Sequence, residues 1–174
     1  QALAQLTPQE AWQYMQDMTA ETGIEISTSS ETTDGKALVL SDIKYSVEFP
    51  NPKRDEPWVL STTLPMLVLR QMDDGRVQVD YGENTNIKVK MLLTDQTDAG
   101  INIDVIGTDM TSFLSKDGDM LNIRSTGKSL EVLVPDFSTE NPALPVIFSY
   151  TVSGFDFETI AKIGKGLSYN VTGK

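Results

Sequence analysis

The chain has 174 residues, with 25 acidic against 14 basic side chains, a formal net charge of −11, and neither His nor Cys. Within these residues that excludes a Ser-His-Asp triad, a thiolate nucleophile, a disulfide framework and the nitrogen and sulfur ligands that zinc prefers. Lys and Arg are scattered singly or in pairs (Lys53-Arg54, Lys88 and Lys90), so no basic stripe is present for a nucleic-acid backbone or an anionic membrane surface.

The length suits one domain with a real core, and a hydrophobic share of 39% is too high for a disordered chain. Gln1-Ala2-Leu3-Ala4-Gln5 contains the Ala-x-Ala pattern that precedes a signal-peptidase cut. Residues 1–5 therefore read as the remainder of an exported N-terminus, and 6–174 as a single β-rich domain. No apolar run approaches the ~20 residues that span a membrane as a helix.

The first element is a helix. Thr7-Pro8-Gln9-Glu10 is a capping box with Pro at the first helical position, Leu6 and Ala11 are spaced as a hydrophobic staple, and Gly23 is a natural stop. Trp12, Met15 and Met18 recur at helical spacing. After Gly23 the apolar period changes from 3.6 to 2. Ile24 and Ile26 alternate with polar residues up to the turn at Asp34-Gly35. A long strand then runs from Ala37 to Phe49, with Leu38 and Leu40 on one parity and Ile43, Tyr45, Val47 and Phe49 on the other. The change at Ser41-Asp42 predicts a bulge or a strand break.

Trp58 to Met72 is extended again, although Pro65 limits that stretch to an edge or a kink. Val77, Val79 and Tyr81 follow the Asp73-Asp74-Gly75 turn, and Ile87, Val89, Met91 and Leu93 repeat the alternation. Thr94 to Gly100 reads as a turn, and Ile101, Ile103 and Val105 as a strand. Lys116-Asp117-Gly118-Asp119 marks a hairpin between Met110–Leu114 and Met120–Arg124. Leu130, Val132 and Val134 lead into a Pro-bounded loop, 135–145, and Val146, Phe148, Tyr150 and Val152 form a further strand. Phe155 to Ile163 reads as a short helix and Leu167 to Val171 as a last strand. Asn170-Val171-Thr172 fits a glycosylation sequon, a match common by chance.

Nearly every connection is short, which favours hairpins over helical crossovers. The expected fold is mainly β: a long antiparallel meander of nine or ten strands forming a curved sheet or half-barrel, with one N-terminal α-helix packed on it.

The order of these motifs resembles a family. Leu6-Thr7-Pro8-Gln9-Glu10-Ala11-Trp12, the Asp-Gly turn before Ala37-Leu38-Val39-Leu40-Ser41-Asp42-Ile43, and Asp117-Gly118-Asp119-Met120 look like the N-terminal part of an uncharacterised family of exported alpha-proteobacterial β-rich proteins of unknown function. The resemblance implies a periplasmic or exported Gram-negative protein and supplies no catalytic residues.

Carboxylates are the only catalytic kit on offer: Asp73-Asp74, Asp95 with Asp98, Asp117 with Asp119, and Asp156 with Glu158. Most sit in Gly-containing turns, where Asp stabilises the turn itself, and none has the spacing of a calcium-binding loop. No cofactor or metal is expected. The remaining functional surface is apolar. Met66, Met91, Met110 and Met120, interleaved with Leu, Ile and Val, are the candidate ligand-binding residues of a concave face, because Met adapts to irregular apolar partners. Three readings stay open. The first is a non-catalytic envelope protein binding a lipid-like ligand or a protein partner. The second is a structural or adaptor module with a closed core, and the third a carboxylate-dependent hydrolase.

Overall fold

The computed structural model describes residues 5–50, 55, 57–82, 84–92, 100–134, 148–162 and 169–173. For Trp58, 84–92, 100–103, Val134, Phe148 and 169–173 only the backbone pairing is used.

Helix α1 spans Pro8–Glu21. Thr7 accepts a hydrogen bond from the Glu10 amide through its hydroxyl (3.2 Å), and the Glu10 carboxylate accepts one from the Thr7 amide (2.9 Å). Both ends of the capping box are thus closed. These bonds hold the Glu10 carboxyl below its ordinary value of 4.5, with a smaller contribution from Lys116. A lowered carboxyl pKa adds stability above the unfolded value and loses it as pH falls through the folded one. Thr7→Ala should therefore cost about 1 kcal/mol at neutral pH. In urea titrations at a series of pH values, that deficit should shrink below pH 4.5 as Glu10 takes up its proton.

The helix is followed by β1 (Ile24–Ser27), β2 (Ser30–Asp34), β3 (Ala37–Phe49), β4 (Trp58–Gln71), β5 (Val77–Asp80), β6 (Asn84–Leu92), β7 (Gly100–Thr108), β8 (Thr111–Asp117), β9 (Met120–Val134), β10 (Phe148–Lys162) and β11 (Tyr169–Gly173). All pair antiparallel in one sheet. Of the expected helix over 155–163, residues 155–162 are instead the second half of β10, and Ile163 lies outside the described residues. Phe155 and Ala161 are buried on one parity, and β9 pairs with this stretch along its whole length. The neighbouring strand overrides a local pattern that fits a helix equally well.

The eleven strands occupy eight positions. β1 and β2 share one register against β3, so Ser27↔Lys44 and Ser30↔Ser41 belong to one ladder. β7 and β8 share one register against β9, and β5 and β6 lie in tandem along β4. Read this way the sheet is a plain meander in which each strand neighbours the next.

The interruptions fall on one line across the sheet. Thr28-Ser29 separates β1 from β2, Gly82 (φ +88°) lies between β5 and β6, and Asp109 (φ +51°) lies between β7 and β8. Within unbroken strands the same level carries Asp42 (φ +49°) in β3 and Gly154 (φ +62°) in β10. Pro65 stands opposite Asp42, between the stretch of β4 that pairs β6 (59–63) and the stretch that pairs β5 (68–71). A residue without an amide hydrogen is tolerated in a central strand there because no ladder partner is offered on that side.

On β3 and β4 the seam changes the inward parity without shifting register: Ser41↔Met66 and Ile43↔Leu64 lie on one ladder. Leu40 and Ile43 are buried on β3, as are Leu64 and Leu67 on β4. A residue added to one strand alone would turn its apolar set outward. Added to both at one level, it leaves the apolar face continuous.

One half of the sheet lies under α1. Leu6, Ala11 and Trp12 pack on Leu38, Leu40, Leu67, Leu69, Val77, Val79, Leu114 and Leu121. The helix is held across the width of the curve. Trp12 Nε1 donates to Glu31 on β2 (3.0 Å), Lys116 on β8 donates to the Tyr14 hydroxyl (2.7 Å), and Gln71 donates to the Leu6 carbonyl (3.3 Å). A helix that touches β2, β8 and β9 together requires the sheet to wrap around it.

Candidate functional site

Beyond the seam the inward row continues without the helix. Tyr45 and Val47 on β3, Leu60 on β4, Val105 on β7, Leu130 and Val132 on β9 and Val152 on β10 are only half-buried. Phe49 is 44% exposed and Tyr150 59%. Cross-strand pairing joins these positions into one band: Val47↔Leu60, Val105↔Val132, Leu130↔Val152 and Val132↔Tyr150. On the alternate parity the same strands carry Lys44, Ser46, Glu48, Ser61, Thr63, Ser149, Thr151 and Ser153. The inward side is the more apolar of the two, although Val59, Ile106 and Leu133 lie on the alternate parity. Among the described residues, however, no second layer covers the apolar side of this half.

Where the band meets α1 there is an open apolar cavity of about 360 Å³, lined by Met15, Met18, Ile24, Tyr45, Ile123, Thr19 and Thr22. The two threonine hydroxyls donate back to helix carbonyls, Thr19 to Met15 and Gln16 (3.1 and 2.8 Å) and Thr22 to Thr19 (2.7 Å). They therefore present methyl groups and no free donor. A larger hollow of about 810 Å³ beside α1 has a mixed lining, with Gln13, Gln16, Asp17 and Lys44 alongside Ile24 and Ile26.

A group of hydroxyls lies near the seam on the inward side. Tyr81, Ser112 and Ser125 are hydrogen-bonded in a row (3.1 and 2.7 Å), with Ser112 only 2% exposed. Tyr45 and Thr62 face each other directly across β3 and β4. Thr62 Oγ1 is buried and has no hydrogen-bond partner. Burial pushes the Tyr45 phenol up to about 12, aided by the nearby Tyr81, and burial raises Tyr81 too.

Of the four candidate methionines, Met66 and Met120 lie off the inward face. Met66 is 43% exposed at the seam, between buried Leu64 and Leu67, and so lies outside the inward row. Met120 stands on the opposite parity from buried Leu121 at the β8–β9 hairpin, which places it on the other side of the sheet. Both departures have one physical cause: a parity set by the seam or by a hairpin cannot be read from composition. Met110 does lie on the inward side, with its sulfur over Gly107, where an added Cβ would come within 1.8 Å of it. Met91 pairs with Leu60 and Ile101 in register, and its side chain is outside the described residues. The methionines that do line the cavity, Met15 and Met18, come from the helix. Their helical spacing was the available signal.

Four of the candidate acids are engaged in ion pairs on the surface. Asp73 pairs with Lys36 (3.0 Å), Asp74 with Arg76 (2.7 Å), Asp119 with Lys162 (3.6 Å), and Asp156 binds Arg124 through both carboxylate oxygens (3.0 and 2.6 Å). The Asp74 carboxyl is held below its ordinary value by hydrogen bonds from Arg76. Asp95 and Asp98 lie outside the described residues, as do Gln1 to Ala4 and the 135–145 loop. Among the described residues no group of three or more acidic side chains is placed to hold a metal ion. No described helix is long and apolar enough to cross a membrane.

Comparison of the chain with protein-family models, with curated proteins and with solved structures gave no match. The functional reading therefore rests on the geometry of this face.

Proposed function

We propose that this protein is a non-catalytic, exported cell-envelope protein that binds a lipid-like ligand through the acyl chain, on the concave face of its sheet. The observation that carries the reading is the mismatch between the apolar face and its cover. Helix α1 shields one half, while the other half exposes Phe49 and Tyr150 at the border of a continuous apolar band. Contiguous apolar surface of this kind mostly marks an interaction site. The cavity at the helix end lies within the about 300–1,000 Å³ of small-molecule sites, and its two methionines supply an adaptable wall. The exported location is supported by the sequence resemblance.

The test is direct. The protein is incubated with phosphatidylcholine vesicles carrying an acyl lipid, re-isolated, and examined by native mass spectrometry and by extraction into organic solvent. Retention of acyl species in a stoichiometric complex is the expected result. Protein recovered free of acyl species overturns the reading.

A second reading, a self-associating adaptor, has one observation in its favour. β11 pairs only with residues 157–161 of β10, so among the described residues Phe148–Ser153 has no strand on its outer side. Such an edge can add a strand from another chain. Ligand-free protein whose mass in sedimentation equilibrium rises with concentration would favour this alternative.

A further inference from the structure

Strand β1 ends the sheet, and among the described residues it pairs with β3 alone. The hollow of about 810 Å³ beside α1 follows this edge: Ile24, Glu25, Ile26 and Ser27 all border it, so it runs the whole length of the strand. Gln13, Asp17 and Ala20 form its helix wall. A strand at the end of a sheet leaves alternate amides and carbonyls unclaimed, and an extended peptide can take them up as a further strand about 4.8 Å away.

The charges along the edge narrow the chemistry. From Ile24 to Asp34, β1 and β2 carry Glu25, Glu31 and Asp34 and neither Lys, Arg nor Pro. Natural sheets commonly blunt such an edge with lysine or proline. The helix adds charge of the same sign. Glu21 lies in its last turn, where the macrodipole is already negative, and no basic residue opposes it there. The Asp17 carboxylate meets an uncharged partner, the Gln13 amide (2.8 Å). Lys44 is the one cation among the described residues bordering the hollow, and it stands diagonal to Glu25 across the ladder, offsetting that charge in part.

This balance selects the occupant. A second copy paired edge to edge would set Glu25 and its acidic neighbours against like charges. A segment bearing Lys or Arg meets the opposite sign, and a chain of net charge −11 draws it in from a distance. The stretch Phe148–Ser153, without an outer strand among the described residues, has no charged residue and gives a basic strand no advantage.

We propose that the free edge of β1 binds an extended, Lys- or Arg-rich segment of a partner protein by strand addition. Backbone hydrogen bonds supply the affinity, and Asp17 and Glu25 select the charge. This site shares only Ile24 with the cavity assigned to acyl chains, so the two readings are tested separately.

The test uses the full chain and a decapeptide of alternating lysine and threonine, acetylated and amidated. Two controls accompany it: the same peptide with glutamate in place of lysine, and the lysine peptide with every backbone amide methylated. In isothermal titration the lysine peptide should bind about tenfold or more tightly than either control. Its affinity should fall as salt is raised. Hydrogen exchange should show new protection within residues 24–27. The Asp17→Asn, Glu25→Gln double variant should lose about three- to fivefold in affinity, the scale of two exposed ion pairs. Both positions are exposed, so its melting temperature should stay close to that of wild type, which separates lost recognition from lost folding. A lysine peptide that fails to bind, or binds no better than the glutamate or the methylated peptide, overturns the proposal. Unchanged exchange in residues 24–27 on binding overturns it too. Unchanged affinity in the double variant overturns the roles given to Asp17 and Glu25.

Discussion

Trp12→Ala should lower the stability of this protein by about 3–5 kcal/mol, the range for truncating a buried tryptophan. Trp12 is 4% exposed in the centre of the helix–sheet contact, and its indole nitrogen reaches across to Glu31 on the edge strand. The substitution opens a cavity beneath α1 and leaves the one covering layer held chiefly by Leu6, Ala11 and the capping box. Since the sheet has no other described layer on that side, the loss should be global and cooperative. Urea unfolding followed by the fluorescence of Trp58, the other tryptophan, measures it. Trp12→Phe should recover most of the deficit and leave about 1 kcal/mol, the share of the hydrogen bond to Glu31. A loss under 1 kcal/mol for the alanine variant would mean that α1 is not part of the cooperative unit.

The second large effect lies at the seam. Phe155 covers Gly127 from the neighbouring strand, and a Cβ added there would sit 2.4 Å from the ring Cζ and 2.6 Å from Cε1. Phe155 is itself 5% exposed and stacks on Phe157 with ring centroids 5.3 Å apart. An aromatic ring laid over a strand glycine is a known device for protecting it. The ring has little room to swing, so Gly127→Ala should cost about 1–3 kcal/mol through overpacking. Phe155→Ala alone should cost about 3–5 kcal/mol. In that background Gly127→Ala should be close to neutral or favourable, because the clash is gone and alanine suits a strand better than glycine. The four proteins form a double-mutant cycle, with an expected coupling of about 1–3 kcal/mol. A coupling indistinguishable from zero would show that the ring is not seated on Gly127 in solution.

The seam gives these local effects a wider meaning. Asp42, Pro65, Asp109 and Gly154 each look like a defect in an otherwise regular strand. Aligned across the sheet, they let long strands bend while keeping one apolar face. β9 and β10 pair at fourteen positions from Phe148↔Val134 to Lys162↔Met120, and only Gly154 is skipped. Curvature introduced this way separates a half that is packed under the helix from a half that is open, and the unsatisfied Thr62 lies beside that division.

Much of this was open to a reader of the sequence. The capping box at Thr7 and Glu10, the strand over Ala37–Phe49, the hairpin at Gly118-Asp119 and the antiparallel meander all follow from short-range rules: side-chain oxygens bond nearby amides, glycine adopts positive φ, and apolar residues alternate along a strand. The parity change at Ser41-Asp42 was visible as well, although only as an isolated irregularity. What tertiary structure decided was everything that depends on a neighbour. The pairing of β10 with β9 turned Phe155–Lys162 into strand. The matching of breaks across strands made a continuous face, excluding Met66 and Met120 while bringing Met15 and Met18 to the cavity. The absence of His and Cys limited the chemistry from the start. That the Thr62 hydroxyl stands buried without a partner depended on register, a property of pairs of strands that no single stretch of chain contains.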